Sequence, residues 1–97
     1  MRYIFHPEAL QEYEEAVLYY SEISKNLAAA FIKCVENGIK KILEYPNAWQ
    51  IVEEDIRRHL IKRFPFGIYY SIEREYIMII SVMHMNRKPG YWISRIR

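Results

Sequence analysis

The side chains able to do chemistry gather in the second half of the chain. Arg57, Arg58, His59, Lys62 and Arg63 come first, and His84, Arg87, Lys88, Tyr91 and Trp92 follow in the segment HMNRKPGYW. Cleaving RNA through its own 2′-hydroxyl needs a base, a cationic clamp on the phosphorane and an acid for the leaving oxygen. Histidine can exchange a proton at neutral pH, arginine clamps phosphate, and tyrosine donates or stacks on a base. His84, Arg87 and Tyr91 are therefore the catalytic candidates if the chain is a nuclease. Arg57, Arg58, His59, Lys62, Arg63, Arg87, Lys88 and Trp92 are the candidates for binding a partner. A plainer reading stands beside this one: His84 ends a buried strand, while Tyr91 and Trp92 anchor the tail on the sheet. His6, His59 and His84 are scattered without ligand spacing, so no metal is expected. Neither a Gly-rich phosphate loop nor a nucleophile elbow occurs, and no cofactor is expected.

Charge supports a binding face. Residues 1–55 hold five Lys/Arg against ten Asp/Glu, and residues 56–97 hold nine Lys/Arg against two Glu. A net charge of +2 thus conceals an acidic first half and a basic second half, which suits an anionic partner such as nucleic acid or an acidic peptide. The acids Glu53, Glu54 and Asp55 lack a Gly turn or a His partner and read as a solvated loop.

These groups must be held by strands. Phe66, Ile68, Tyr70 and Ile72 alternate with Gly67, Tyr69, Ser71 and Glu73, the period of a strand with one buried face. After the charged turn Glu73-Arg74-Glu75, Tyr76 to Met83 is almost wholly apolar and suits a central strand covered on both faces. Residues 57–63 form a basic strand-like segment, left through a turn at Pro65 and Gly67. Consecutive hairpins would bring this segment close to the basic tail. Upstream, Arg2 to Phe5 is a short strand, and Pro7 fits the first position of a helix. Ala9, Tyr13, Ala16, Val17, Tyr20 and Ile23 form its apolar stripe, with Glu8, Glu12, Glu15 and Glu22 largely off it. A second helix, capped by Ser24 and stopped by Pro46, carries Ala28, Phe31, Val35, Gly38 or Ile39, and Ile42. Gly38 within it implies close packing. The connector from Asn47 to Asp55 has Trp49 and Ile51 as anchors.

With 97 residues, 52% of them hydrophobic and only three Gly, the chain reads as one globular domain spanning 1–97. One cysteine, Cys34, excludes an internal disulfide and fits a reducing compartment. It lies in an apolar helical pattern and reads as a structural thiol. The start MRYIFHPEAL is unlike a signal peptide and no apolar run reaches the length of a membrane span, so a cytoplasmic location is expected.

The succession of strand, helical hairpin, RRHLIKRFPFGIYYSI, YIMIISVMH and RKPGYW resembles the RelE/ParE superfamily of toxins from bacterial type II toxin–antitoxin modules. The resemblance covers essentially the whole chain and is most specific in VMHMNRKPGYW following FPFGIYY. It implies an α+β fold of order β-α-α-β-β-β, with an antiparallel helical hairpin on one face of a twisted antiparallel sheet. It also implies a cognate antitoxin as partner. RelE-like members cut messenger RNA on the ribosome, ParE-like members poison DNA gyrase, and solitary or inactivated members exist. The cutters typically place Arg directly after the aromatic that opens the third strand, where this chain has Gly67. They place another six residues before the C-terminal Tyr, where this chain has Met85. Neither residue can stabilise phosphorane charge. The pattern His84, Arg87, Pro89, Tyr91, Trp92 resembles the ParE and plasmid-stabilisation branch, which implies binding of gyrase rather than cleavage of ribosomal messenger.

Overall fold

Pro7 opens the first helix, where its missing N–H costs nothing, and the Nδ1 of His6 accepts from the Glu8 amide at 3.1 Å. The computed structural model describes residues 1–86 and 94–96. Arg87, Lys88, Tyr91 and Trp92 lie outside the described residues. The elements run β1 (Arg2–Phe5), α1 (Pro7–Ile23), α2 (Lys25–Glu44), β2 (Ile51–Glu53), β3 (Ile56–Leu60), β4 (Phe66–Ile72) and β5 (Tyr76–His84). Ser24 alone joins the helices, and its Oγ accepts from the Leu27 amide at 3.3 Å to cap α2.

The five strands form one sheet in the order β1-β5-β4-β3-β2. β4 pairs antiparallel with both β5 and β3, as hairpin logic requires. Two features depart from the sequence expectation. β1 runs parallel to β5, from Arg2 opposite Tyr76 to Phe5 opposite Ile79, so the sheet is not wholly antiparallel. The connector after α2 supplies an extra edge strand, β2, whose pairing with β3 shifts register between Ile51 and Glu53. Ile51 is 47% exposed there and is not an anchor; half-buried Trp49 is.

Both faces of the sheet are covered, as the apolar run of β5 demands. On the helix side Phe66, Ile68, Tyr70, Ile77, Ile79 and Val82 meet Phe31, Val35, Ile39 and Ile42 of α2. On the other side Ile56, Tyr69, Ile80 and Met83 form a smaller cluster, against which Met78 and Ile96 pack. A register shift between Tyr69 and Tyr70 makes Ile80 the unpaired residue of a β-bulge and lets β5 serve both clusters. The stripe of α2 is buried as its spacing implies, whereas Ile23 of α1 is 60% exposed and falls off the stripe. Cys34 is half-buried against the helix-side core. Gly38 earns its place in mid-helix: a Cβ there would stand 3.0 Å from Ile68 Cδ1, 3.1 Å from His59 Cδ2 and 3.2 Å from Ile61 Cγ2. No described helix is long and apolar enough to cross a membrane.

Candidate functional site

The basic strand β3 does not present one face. Its register sets Arg57 opposite Tyr70, Arg58 opposite Tyr69, and His59 opposite Ile68. Tyr70 and Ile68 belong to the helix-side core, so Arg57 and His59 point that way while Arg58 points to the other face. β4 lies between β3 and β5, as consecutive hairpins imply, and the tail cations Arg87 and Lys88 of the second basic segment lie outside the described residues.

Arg57 is committed to structure. Its guanidinium donates to the carbonyls of Trp49 at 2.7 Å and Asn47 at 3.1 Å, holding the connector on the sheet. The Tyr70 hydroxyl donates to the Pro46 carbonyl at 2.6 Å from the same neighbourhood. Burial pushes the Tyr70 phenol upward, with Arg57 opposing the shift.

His59 is 7% exposed, and the Trp49 ring meets its imidazole edge-on at 4.5 Å. Its Nδ1 is buried without a hydrogen-bond partner among the described residues. Burial, and then the Lys41 ammonium, pushes its pKa below the ordinary 6.5. The unfolded chain therefore takes up this proton before the folded one does. The contribution of His59 to stability is complete above pH 6.5 and declines as the pH falls through the lower folded value. Denaturant midpoints measured from pH 7 down to about pH 5 should fall, and His59→Leu should flatten that slope.

The opposite face brings Gly67, Met85, Tyr69 and Arg58 together. A Cβ on Gly67 would lie 3.1 Å from Tyr69 Cε1, 3.3 Å from Met85 Sδ and 3.4 Å from Arg58 Cγ. The two positions at which RNA cutters place arginines are thus adjacent in space. Here a thioether and a phenol ring crowd a bare backbone, and Met85 is fixed by its amide donating to the Pro65 carbonyl at 2.7 Å. Arg58 is the one sequence-predicted cation at this spot among the described residues.

His84 is elsewhere. It pairs with Phe66 across β4 and β5, its ring lies edge-on to that phenyl at 5.2 Å, and its Nδ1 accepts from the Asn86 amide at 3.0 Å. This is the helix side of the sheet, in a cleft of ≈ 620 Å³ shared with Glu12, Glu15, Tyr19, Tyr20 and Arg95. His84 and the Gly67–Met85 contact therefore open onto different faces. Lys62 and Arg63 leave β3 at its far end and lie against the C-terminal half of α2.

Sequence reasoning missed one polar hub. Arg95 reaches back to α1, where its NH1 and NH2 each donate to a Glu12 carboxylate oxygen at 2.9 Å. NH1 also donates to the Ile80 carbonyl at 3.0 Å, and Nε lies 3.2 Å from Glu8. Glu12 Oε1 further accepts from Ser81 Oγ at 3.0 Å and the Val82 amide at 3.3 Å. The sequence places Glu12 largely off the apolar stripe of α1, as it does Glu8, Glu15 and Glu22. Nothing linked it to a residue so far along the chain.

The sequence model of "ParE toxin of type II toxin-antitoxin system, parDE" matches residues 3–89. No curated protein sequence matches. Among solved structures, "Chromosomal ParDE TA system from P. aeruginosa" is similar, with a TM-score of 0.77 at 17% identity over 87% of this chain and 95% of that one. At that identity the likeness speaks for the fold.

Proposed function

The chain belongs to the ParE toxin family of type II toxin–antitoxin systems, and on that premise we propose that it arrests growth by binding DNA gyrase and is silenced by a cognate antitoxin. The observation that carries the choice of binding over cleavage is the contact between Gly67 and Met85. A ribosome-dependent nuclease needs acid, base and cationic clamp within hydrogen-bonding reach of one phosphate. Apolar groups hold the two clamp positions, and His84 lies across the sheet from them. Binding asks less: a complementary surface whose energy is concentrated in a few Arg and aromatic anchors. Arg87 and Trp92 of the tail are the anchors we assign, with Arg58 beside them in role. An antitoxin rich in acids and large apolar residues suits a chain whose second half is basic, and the adjacent reading frame is where to seek it.

Induction in cells should produce filaments and DNA-damage signalling, and Arg87→Ala with Trp92→Ala should abolish both. Ribosome-bound messenger should stay intact. Position-specific cuts in that messenger, lost on His84→Ala or Arg87→Ala, would overturn the proposal and restore the nuclease. Growth unaffected by induction would identify an inactive or solitary member.

A further inference from the structure

We infer that the cleft between the C-terminal half of α2 and the β3–β4 connection binds a compact phosphate-class anion, such as the diphosphate or triphosphate chain of a nucleotide. This site stands apart from the mode of action proposed above.

The cleft has a volume of ≈ 470 Å³, and Lys40, Lys41, Lys62 and Arg63 line it with Glu44 as the one acid among the described lining residues. Lys40 and Lys41 come from the acidic half of the chain, and folding brings them against the basic segment. Four exposed cations around one hollow repel one another. The ion pairs formed among the described residues both involve Arg95, so neither neutralises this group. Arg63 also adopts φ 71°, in the left-handed region that disfavours any residue with a Cβ. Glu44 and the Phe64 ring, over which the Arg63 guanidinium lies at 5.6 Å, offset only part of this charge, and a bound polyanion would stabilise the excess.

Size and lining select the class. The volume falls within the range of small-molecule sites and exceeds what a simple halide needs. Arginine offers a planar fork to phosphate oxygens and lysine a mobile point charge, so the set matches several phosphate oxygens at once. Ile61, Gly38 and the His59 ring supply a largely apolar floor for a moiety attached to the phosphates. His59 also reports occupancy. Among the groups facing it, Trp49 carries no charge, Arg57 is turned to the connector, and Lys41 is the cation that acts on it. An anion beside Lys41 offsets that charge.

The test is titration of the intact chain with pyrophosphate, followed by calorimetry and by the NMR signals of the His59 ring. We expect saturable one-to-one binding and an upward move of the His59 pKa at saturation. The double variant Lys41→Gln/Arg63→Gln should bind at least about tenfold more weakly, whereas Lys25→Gln/Arg74→Gln, with the same loss of charge, should change affinity less than about threefold. Equal weakening by both double variants would reduce the effect to net charge and overturn the site. So would absence of saturation, or an unmoved His59. A short DNA duplex that needs these cations while pyrophosphate fails to bind would also overturn it, in favour of a contact to nucleic-acid backbone.

Discussion

Replacing Phe31 with alanine should cost about 3–5 kcal/mol of unfolding free energy, enough to unfold a domain of marginal stability at growth temperature. The ring is 0% exposed and is the meeting point of both helices with the sheet. Its centroid lies 4.9 Å from Phe66, 5.0 Å from Tyr20, 5.2 Å from Phe64 and 6.0 Å from Tyr13. The contacts to Phe64 and Phe66 are edge-to-face and add to the burial energy, and rings cannot flow together to fill the void as aliphatic chains do. Denaturant titration of the purified chain measures the loss. Phe31→Leu, which keeps most of the volume, should cost about 1–2 kcal/mol and guards against a variant that does not fold at all. A loss below about 1 kcal/mol for Phe31→Ala would mean the aromatic cluster is not what joins the layers.

The helix side of this fold was legible because α2 and β4 bury a single stripe each. Phe31, Val35, Ile39 and Ile42 recur at helical spacing, Phe66, Ile68 and Tyr70 at strand spacing, and both periods survive in the core. Gly38 was legible as a close approach, though not what approached it. β1 and β2 were less so. Four residues such as Arg2–Phe5 pair parallel or antiparallel with equal ease by pattern, and the choice follows from where α1 must cross. β2 has only three residues, all exposed, so no alternation marks it.

Charge was the poorer guide to the site. Arg57 and Arg58 are adjacent in sequence, and for that reason they face opposite sides of the sheet. One holds carbonyls of the connector, and the other stands beside Gly67. His59 reads as part of a basic patch but is a buried neutral ring against Trp49. Lys40 and Lys41 carried no signal, because their pairing with Lys62 and Arg63 exists only after α2 folds onto the sheet. Gly67 and Met85, far apart in sequence and set by it against the arginines of RNA cutters, meet in space.

Glu12→Ala should destabilise the chain by about 3–5 kcal/mol, the range for breaking one side of a buried ion pair. Its need arises from the sheet. β1 pairs with β5 only as far as Ile79, where the His6 amide donates to the Ile79 carbonyl at 2.9 Å. Beyond that point β5 has no strand on this side among the described residues, and its backbone groups need other partners. Glu12 accepts from the Val82 amide, and Arg95 donates to the Ile80 carbonyl, so one carboxylate and one guanidinium stand in for the missing strand. Their side chains are only 14% and 7% exposed, so water cannot replace either without opening the cleft. Alanine withdraws an acceptor from Ser81, Val82 and Arg95 together and leaves the guanidinium without the bidentate carboxylate it faces. Glu12→Gln keeps a carbonyl oxygen for the amide and the hydroxyl and should lose only about 1–3 kcal/mol, the charge-assisted share. Denaturant titration ranks the two variants. Hydrogen exchange at the Val82 amide should accelerate in both, and most in Glu12→Ala. A Glu12→Ala chain within about 1 kcal/mol of the parent, with Val82 still protected, would mean that β5 is held at this edge by something other than the Glu12–Arg95 pair.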